Sequence, residues 1–270
     1  MGNAWVAGRD EYGLFHNPAL AATSSMPVGV TLAQYGDRAF AFATASGATV
    51  GSVNIGWGVH AAHFSVSPTR AYPYRITDLV GRDDADVSSL VGVLAANMTK
   101  KGIRWGVGAK YAHDMAPSPV SGSVRHARVL ADVGATRPLF TGTLGLAVQN
   151  LGTPYTRSTA TGTQSVSVPA QVALGWTASK SWGEFDYGFA TQVLARRHGF
   201  VAPGGGVDVG YSWIEGYAVN ARVGARRPDT KDERPVSLGA ALNADRLNVE
   251  YALGFVAGNQ QIHRVTLRWR

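Results

Sequence analysis

The last third of the chain alternates apolar with polar or small residues, segment after segment. In the final segment His263, Val265, Leu267 and Trp269 share one parity, and Arg264, Thr266, Arg268 and Arg270 the other. Before it, Leu247, Val249, Tyr251, Leu253 and Phe255 alternate with Asn248, Glu250, Ala252 and Gly254. Earlier still, Val236, Leu238, Ala240 and Leu242 alternate with Ser237, Gly239, Ala241 and Asn243. Successive side chains of a strand point to opposite faces, so each segment has one apolar face and one polar or small one. Strands of soluble sandwiches usually run about 5–6 residues. These run about ten, the length that crosses a bilayer at a steep tilt. The pattern predicts an all-β protein, a transmembrane antiparallel β-barrel.

The alternation continues toward the N-terminus. Tyr217, Val219, Ala221 and Val223 oppose Asn220, Arg222, Gly224 and Arg226; Val207, Val209, Tyr211 and Trp213 oppose Asp208, Gly210 and Ser212. Phe185, Tyr187, Phe189 and Val193 oppose Asp186, Gly188, Ala190 and Gln192, and Val172, Leu174 and Trp176 oppose Ala173 and Gly175. Similar faces recur around Leu146, around Val129 opposite Arg128 and Asp132, around Val107 opposite Arg104 and Lys110, and around Trp57 opposite Gly56, Gly58 and His60. Phe40 and Phe42, and Val28, Val30 and Leu32, mark two further strands. Asp86 to Thr99 is apolar on both faces and reads either as a strand or as a short amphipathic helix running into one. Counted as a strand, it brings the total to about fourteen, an even number as in single-chain bacterial barrels.

Short links are expected near Ser46-Gly47, Lys100-Lys101-Gly102, Arg137-Pro138, Ser181-Trp182-Gly183, Glu215-Gly216 and Asp245-Arg246. Longer ones fall between them, at 61–85, 114–123, 151–169, 196–205 and 228–234; the link at Gly36-Asp37 is short but lies on the long side. Outer-membrane barrels have short periplasmic turns and longer extracellular loops, so the alternation predicts a bacterial outer-membrane protein with both termini periplasmic. Trp213, Tyr217, Tyr187, Trp269 and Tyr111 lie on the apolar face near segment ends, as in an interfacial aromatic girdle.

Composition agrees. Charged residues make up 16% of the chain, against about 25% in ordinary soluble domains. No apolar run approaches the roughly 18 residues of a transmembrane helix. The start of the chain has neither a basic region nor an apolar stretch, so the barrel reading expects a leader removed ahead of it. The net charge is +7, yet basic residues stand singly on polar faces or in links, so nucleic acid is not the expected partner. By parity Arg104, Lys110, Arg128, Arg222, Arg226, Arg264 and Arg268 face the lumen, with Asp132, Asp186, Asp208 and Glu250 as their acidic counterparts. Two readings stay open: a salt-bridge network that closes the lumen, or an anion-attracting path.

The chain has no cysteine and seven histidines without metal-ligand spacing, so no metal site is expected. Asp83-Asp84-Ala85-Asp86 lacks the ordered ligands and glycine of a calcium loop and reads as a solvated charge run. There is no nucleophile elbow, phosphate loop or His-Glu-x-x-His, and Gly204-Gly205-Gly206 is expected as an outer loop. Catalytic residues and cofactors are expected to be absent, and the chain is read as a non-enzyme.

Residues 7–21, Ala-Gly-Arg-Asp-Glu-Tyr-Gly-Leu-Phe-His-Asn-Pro-Ala-Leu-Ala, do not alternate. Asn17-Pro18 sets a turn, with Leu14, Phe15 and Leu20 as apolar anchors. The segment is expected either as a plug within the lumen or as a short helix on the periplasmic rim; non-helical backbone at membrane depth must be enclosed by protein or water. With Asn17-Pro18-Ala19 it resembles the opening of the FadL superfamily of outer-membrane proteins, whose Asn-Pro-Ala motif belongs to an N-terminal plug. Trp105 to Tyr111, Leu144 to Gly152 and Ile262 to Leu267 resemble its PorV/PorQ branch. This chain is shorter than that branch and ends in Trp269-Arg270. The resemblance implies residues 1–26 as plug, 27–270 as barrel, and a role in transport or protein secretion. Outer-membrane lipid and protein partners of a secretion or membrane complex are then expected. The alternatives are FadL-like passive uptake of a hydrophobic ligand, with a wall kink near Gly47 or Gly51, and a structural subunit or small pore.

Overall fold

The computed structural model describes residues 7, 11–22, 28–35, 39–66, 85–118, 122–159, 162–166, 170–196, 199–228, 233–256 and 261–269. Among the described residues two short 3-10 turns, Glu11–Phe15 and Pro18–Leu20, precede the strands. The first strands are β1 (Val28–Tyr35), β2 (Ala39–Val50), β3 (Val53–Val66), β4 (Ala85–Lys100), β5 (Ile103–Ser118), β6 (Gly122–Leu139) and β7 (Gly142–Leu151). A small hairpin of β8 (Tyr155–Thr159) and β9 (Gly162–Val166) follows. The remainder are β10 (Gln171–Trp182), β11 (Phe185–Arg196), β12 (Val201–Ile214), β13 (Tyr217–Arg226), β14 (Glu233–Ala244), β15 (Leu247–Val256) and β16 (Gln261–Trp269).

Fourteen of these strands form one closed antiparallel barrel. Each pairs with its chain neighbour, β7 pairs with β10 across the small hairpin, and β1 meets β16 with Val30 opposite Leu267 and Leu32 opposite Val265. Closure satisfies every strand edge, as lipid requires of a spanning sheet. The faces sort as the alternation predicts. On β16 Val265, Leu267 and Trp269 are exposed on the outside while Thr266 and Arg268 are buried inside.

Six two-residue turns lie at one end of the barrel, at residues 51–52, 101–102, 140–141, 183–184, 215–216 and 245–246. Val28 and Trp269 lie at the same end. At the β4–β5 turn Lys101 and Gly102 take φ of 52° and 73°, the paired left-handed conformation whose twist suits a two-residue hairpin. Aromatic side chains ring this rim: Trp182, Trp213, Tyr217 and Trp269 are exposed, and Phe140, at a turn tip, is 90% exposed.

Several sequence expectations need correction. The first short turn is at Gly51-Ser52, because Ser46 and Gly47 stay in the β2–β3 ladder opposite Trp57 and Gly56. The third is at Phe140-Thr141, with Arg137 and Pro138 still in β6. The segment around 86–99 is wholly strand. Its apolar inward residues Val93 and Ala95 are buried rather than wet. Gly204-Gly205-Gly206 is no loop: the three glycines pair with Gln192, Thr191 and Ala190 inside β12. Both ladders of β3 run without a register shift, so neither Gly47 nor Gly51 opens a kink there. The link 114–123 is mostly strand, since β5 reaches Ser118 and β6 begins at Gly122. Gly36-Asp37 and Asp83-Asp84 lie outside the described residues.

Candidate functional site

The lumen is unevenly lined. On β2 to β7 and β10 a patch of small inward side chains, Ala41, Ala45, Ala95, Ala147 and Ala173 with Gly56, Gly58, Gly106 and Gly134, lies among polar and charged ones such as Asn97, Lys110, Asp132 and Gln149. On β12 to β16 the inward positions carry Asp208, Arg222, Arg226, Glu250, Arg264 and Arg268. The N-terminal segment 11–22 lies against the small-residue patch. Its fit there depends on missing side chains. A Cβ at Gly106 would stand 2.6 Å from the Cα of Ala19, one at Gly134 2.9 Å from the Cγ of Asn17, and one at Gly56 2.9 Å from the Cβ of Ala21. The contacts at Gly106 and Gly56 are to backbone and to an alanine Cβ, which no rotamer change relieves, and the Asn17 amide at Gly134 is fixed by its own hydrogen bonds.

Polar groups complete the seat. The backbone N–H groups of His16 and Asn17 donate to the Gly13 carbonyl at 2.9 and 2.8 Å. Asn17, wholly buried, caps the turn Pro18–Leu20: its Oδ1 accepts from Ala19 N at 3.0 Å. An Asn cap with Pro behind it is a favoured start for a helical turn. The Nδ2 of Asn17 donates to the carbonyls of Ala135 on β6 and Leu146 on β7, both at 3.4 Å. From the wall, Asn97 Nδ2 donates to the Ala21 carbonyl at 2.7 Å, Thr177 Oγ1 to that of Ala7 at 2.9 Å, and Gln149 Nε2 to that of His16. Leu14 and Ala21 share an apolar cluster with Ala45, Val93 and Ala95, and Phe15 packs against it. Burial, and then the positive charges of Lys110, Arg264 and His60, push His16 down to about 3. Its imidazole is therefore neutral near neutral pH.

Beside His16 the wall is irregular. The β6–β7 register shifts between Ala131 and Val133, and Asn150 takes a φ of 57°, the signature of a bulge that re-aims a side chain. The Asn150 N–H donates to Asp132 Oδ1 at 2.7 Å. Lys110 Nζ lies 2.7 Å from Asp132 Oδ2 and 3.3 Å from Asn150 Oδ1. Lys110 and Asp132 are both buried, so each needs the other to offset its lost hydration.

The remaining lumen charges separate into groups. Glu250 bridges two guanidiniums, 2.7 Å from Arg222 Nη1 and 2.5 Å from Arg268 Nη1, and Arg268 also donates to Asn248 at 2.9 Å. Asp208 stands opposite Arg222 in the β12–β13 ladder. Asp186 accepts from Ser181 at 2.5 Å and Ser212 at 3.3 Å. Arg104, Arg226 and Arg264 are half-buried on inward positions of β5, β13 and β16. Arg128 pairs with Asp114, which also accepts from Ser89 at 2.7 Å.

Sequence reasoning missed Asp114 because it placed residue 114 at the start of a link, whereas β5 runs on to Ser118. The parity of Lys110 and Ala112 carried two residues further would have found it. The bulge at Asn150, and the roles of Asn97, Gln149 and Thr177 as donors to the segment, left no local signal. Among the described residues there is no group of three or more His, Asp or Glu that could hold a metal ion.

No family model matches the sequence, and no curated protein matches it. Solved structures do match. The chain is similar to the CymD monoaromatic hydrocarbon channel, at 10% identity with a TM-score of 0.66, covering 98% of this chain and 94% of that one. It is similar to a FadL homologue of Pseudomonas aeruginosa, at 12% identity and a TM-score of 0.63 over 99% and 95% of the two chains. It is also similar to the Pseudomonas putida toluene transporter TodX, at 8% identity and a TM-score of 0.60 over 96% and 92%. The chain is thus a transmembrane β-barrel, with the fold of the FadL-like outer-membrane barrels.

Proposed function

We propose that this protein is an outer-membrane channel for the passive uptake of small hydrophobic molecules, with residues 11–22 acting as a plug. The observation that carries this reading is the seat itself. A closed lumen offers a patch of glycine and alanine, and a non-strand segment is held against it by packing and by hydrogen bonds to the wall through Asn17, Asn97 and Thr177. Such a segment can unseat without unfolding the wall. The likeness to channels described as carrying monoaromatic hydrocarbons and toluene supports an apolar cargo over the secretion role that the PorV/PorQ resemblance implies. In this reading the two-residue turns and both termini face the periplasm.

The charged cluster on β13, β15 and β16 fits the same role. Arg222, Glu250 and Arg268 hold one another in place and fill space that would otherwise pass water and ions. Purification of the full chain from native outer membranes in mild detergent, with mass spectrometry of bound proteins and lipids, tests the reading together with uptake of labelled toluene by proteoliposomes. Toluene entry above that of empty vesicles, and no stoichiometric protein partner, is the expected result. A stoichiometric partner with no effect on toluene entry would return the secretion role.

A further inference from the structure

The outside of the barrel holds a depression that the transport reading does not use. It is an open cavity of about 610 Å³ on the lipid-facing side of β1 to β6, toward the end opposite the two-residue turns. Two adjacent rows of outward side chains build it. The lower row runs across five strands as Leu32, Phe42, Ala61, Leu90 and His113, each opposite the next in the ladders. Phe40, His63, Ser88, Met115 and Arg125 form the upper row in the same way.

The middle of both rows is small. Ala61 and Ser88 sit between Phe40 and Phe42 on one side and Leu90 and Met115 on the other, and a Cβ at Gly92, one step lower on β4, would meet nothing within 4 Å. A barrel wall normally meets lipid with a continuous row of large apolar side chains. Here the wall is indented by the missing ones.

The indentation is apolar toward the turns and basic away from them. His63 lies ten residues from the β2–β3 turn, His113 ten from the β4–β5 turn and Arg125 fourteen from the β6–β7 turn. At about 3.3 Å per residue and a tilt near 40°, this places the imidazoles about 25 Å and Arg125 about 35 Å above the rim, at and just beyond the edge of the apolar band. There Arg125 is exposed, and His63 is hydrogen-bonded to Ser88 at 3.0 Å. The lining residues whose side chains are described include no carboxylate. An acyl chain in the indentation would put its headgroup beside a guanidinium and two imidazoles. Arginine favours phosphate through paired, charge-assisted hydrogen bonds.

We propose that this depression is a binding site for an acylated, phosphate-bearing lipid of the leaflet at the long-connection end of the barrel. The acyl chain lies over Ala61 between Phe42 and Leu90, a phosphate is held by Arg125 with His113 on the neighbouring strand, and the rest of the headgroup lies toward His63. The site is independent of the lumen, so it stands whether or not the channel carries hydrocarbons.

Native mass spectrometry of the full chain in mild detergent, titrated with diphosphoryl lipid A or with phosphatidylcholine, tests this. One lipid A is expected to remain bound at concentrations where phosphatidylcholine does not. Ala61→Trp, which fills the indentation, and Arg125→Ala, which removes the cation, should each weaken lipid A binding at least tenfold. Val219→Trp, on an exposed outward position of the opposite wall, should leave it unchanged. Heat-modifiable gel migration checks that each variant is a folded barrel. If Ala61→Trp does not fold, the exposed Arg125→Ala variant decides alone. Wild-type affinity in Arg125→Ala, equal binding of phosphatidylcholine, or occupation of the depression by a second copy of the chain would overturn the proposal.

Discussion

Replacing Gly106 with valine attacks the seat of the N-terminal segment through one atom. The new Cβ would stand 2.6 Å from the Cα of Ala19, where carbon atoms rest at about 3.5–4.0 Å. The obstacle is backbone, so the segment must retreat by about 1 Å. The two hydrogen bonds from Asn17 to the Ala135 and Leu146 carbonyls are already 3.4 Å long and would not survive that shift. Two bonds at about 1 kcal/mol each and an overpacking cost of about 1–3 kcal/mol together disfavour the seated state by about 3–5 kcal/mol. At about 1.4 kcal/mol per decade this moves the ratio of seated to unseated protein by about two to three and a half orders of magnitude. Planar-bilayer recordings should show a rise in open probability, and protease added at the turn side of proteoliposomes should cleave the N-terminal segment while the barrel stays intact. A folded Gly106→Val barrel with wild-type conductance and a protected segment would refute the reasoning, because the segment could not then be seated against that glycine.

Lowering the pH should loosen the same seat. His16 is held neutral at about 3 when seated and regains an ordinary value near 6.5 when released. The released state therefore takes up the proton first. Seating is at full strength above about pH 6.5 and weakens by at most about tenfold per pH unit as the pH falls toward 3; conductance measured from pH 7.5 to 4.5 should rise, and His16→Gln should flatten the profile. Lys110→Met leaves Asp132 buried without its cation, and should destabilise the barrel by about 3–5 kcal/mol in urea unfolding from lipid vesicles. Adding Asp132→Leu should recover most of that loss, since the uncompensated charge is then gone. Glu250→Gln in the Gly106→Val background removes the carboxylate between Arg222 and Arg268, and the reversal potential in a salt gradient should shift toward anion selectivity.

The parity of the chain was legible because it is local. Side chains two apart share a face whatever the rest of the molecule does, so the outward rows through Leu267, Val249 and Phe189, and the inward positions of Lys110, Asp132, Arg222 and Glu250, could be read residue by residue. Strand number followed from the same periodicity, and so did the short-turn rim, to within a few residues. Turn positions drifted, from Gly47 to Gly51 and from Pro138 to Phe140, since a small or proline residue marks a turn only when the ladder on both sides stops there. The tertiary structure alone decided which distant groups meet. Asn17 reaches Leu146 across 129 positions of sequence, Asn97 reaches Ala21 across 76, and Arg128 meets Asp114 only because β5 runs past Tyr111. Closure of the barrel sets those distances. The inward glycines Gly106 and Gly134 look in sequence like any other small residues on a polar face; they become a seat only once the segment that ends at Ala22 lies against them.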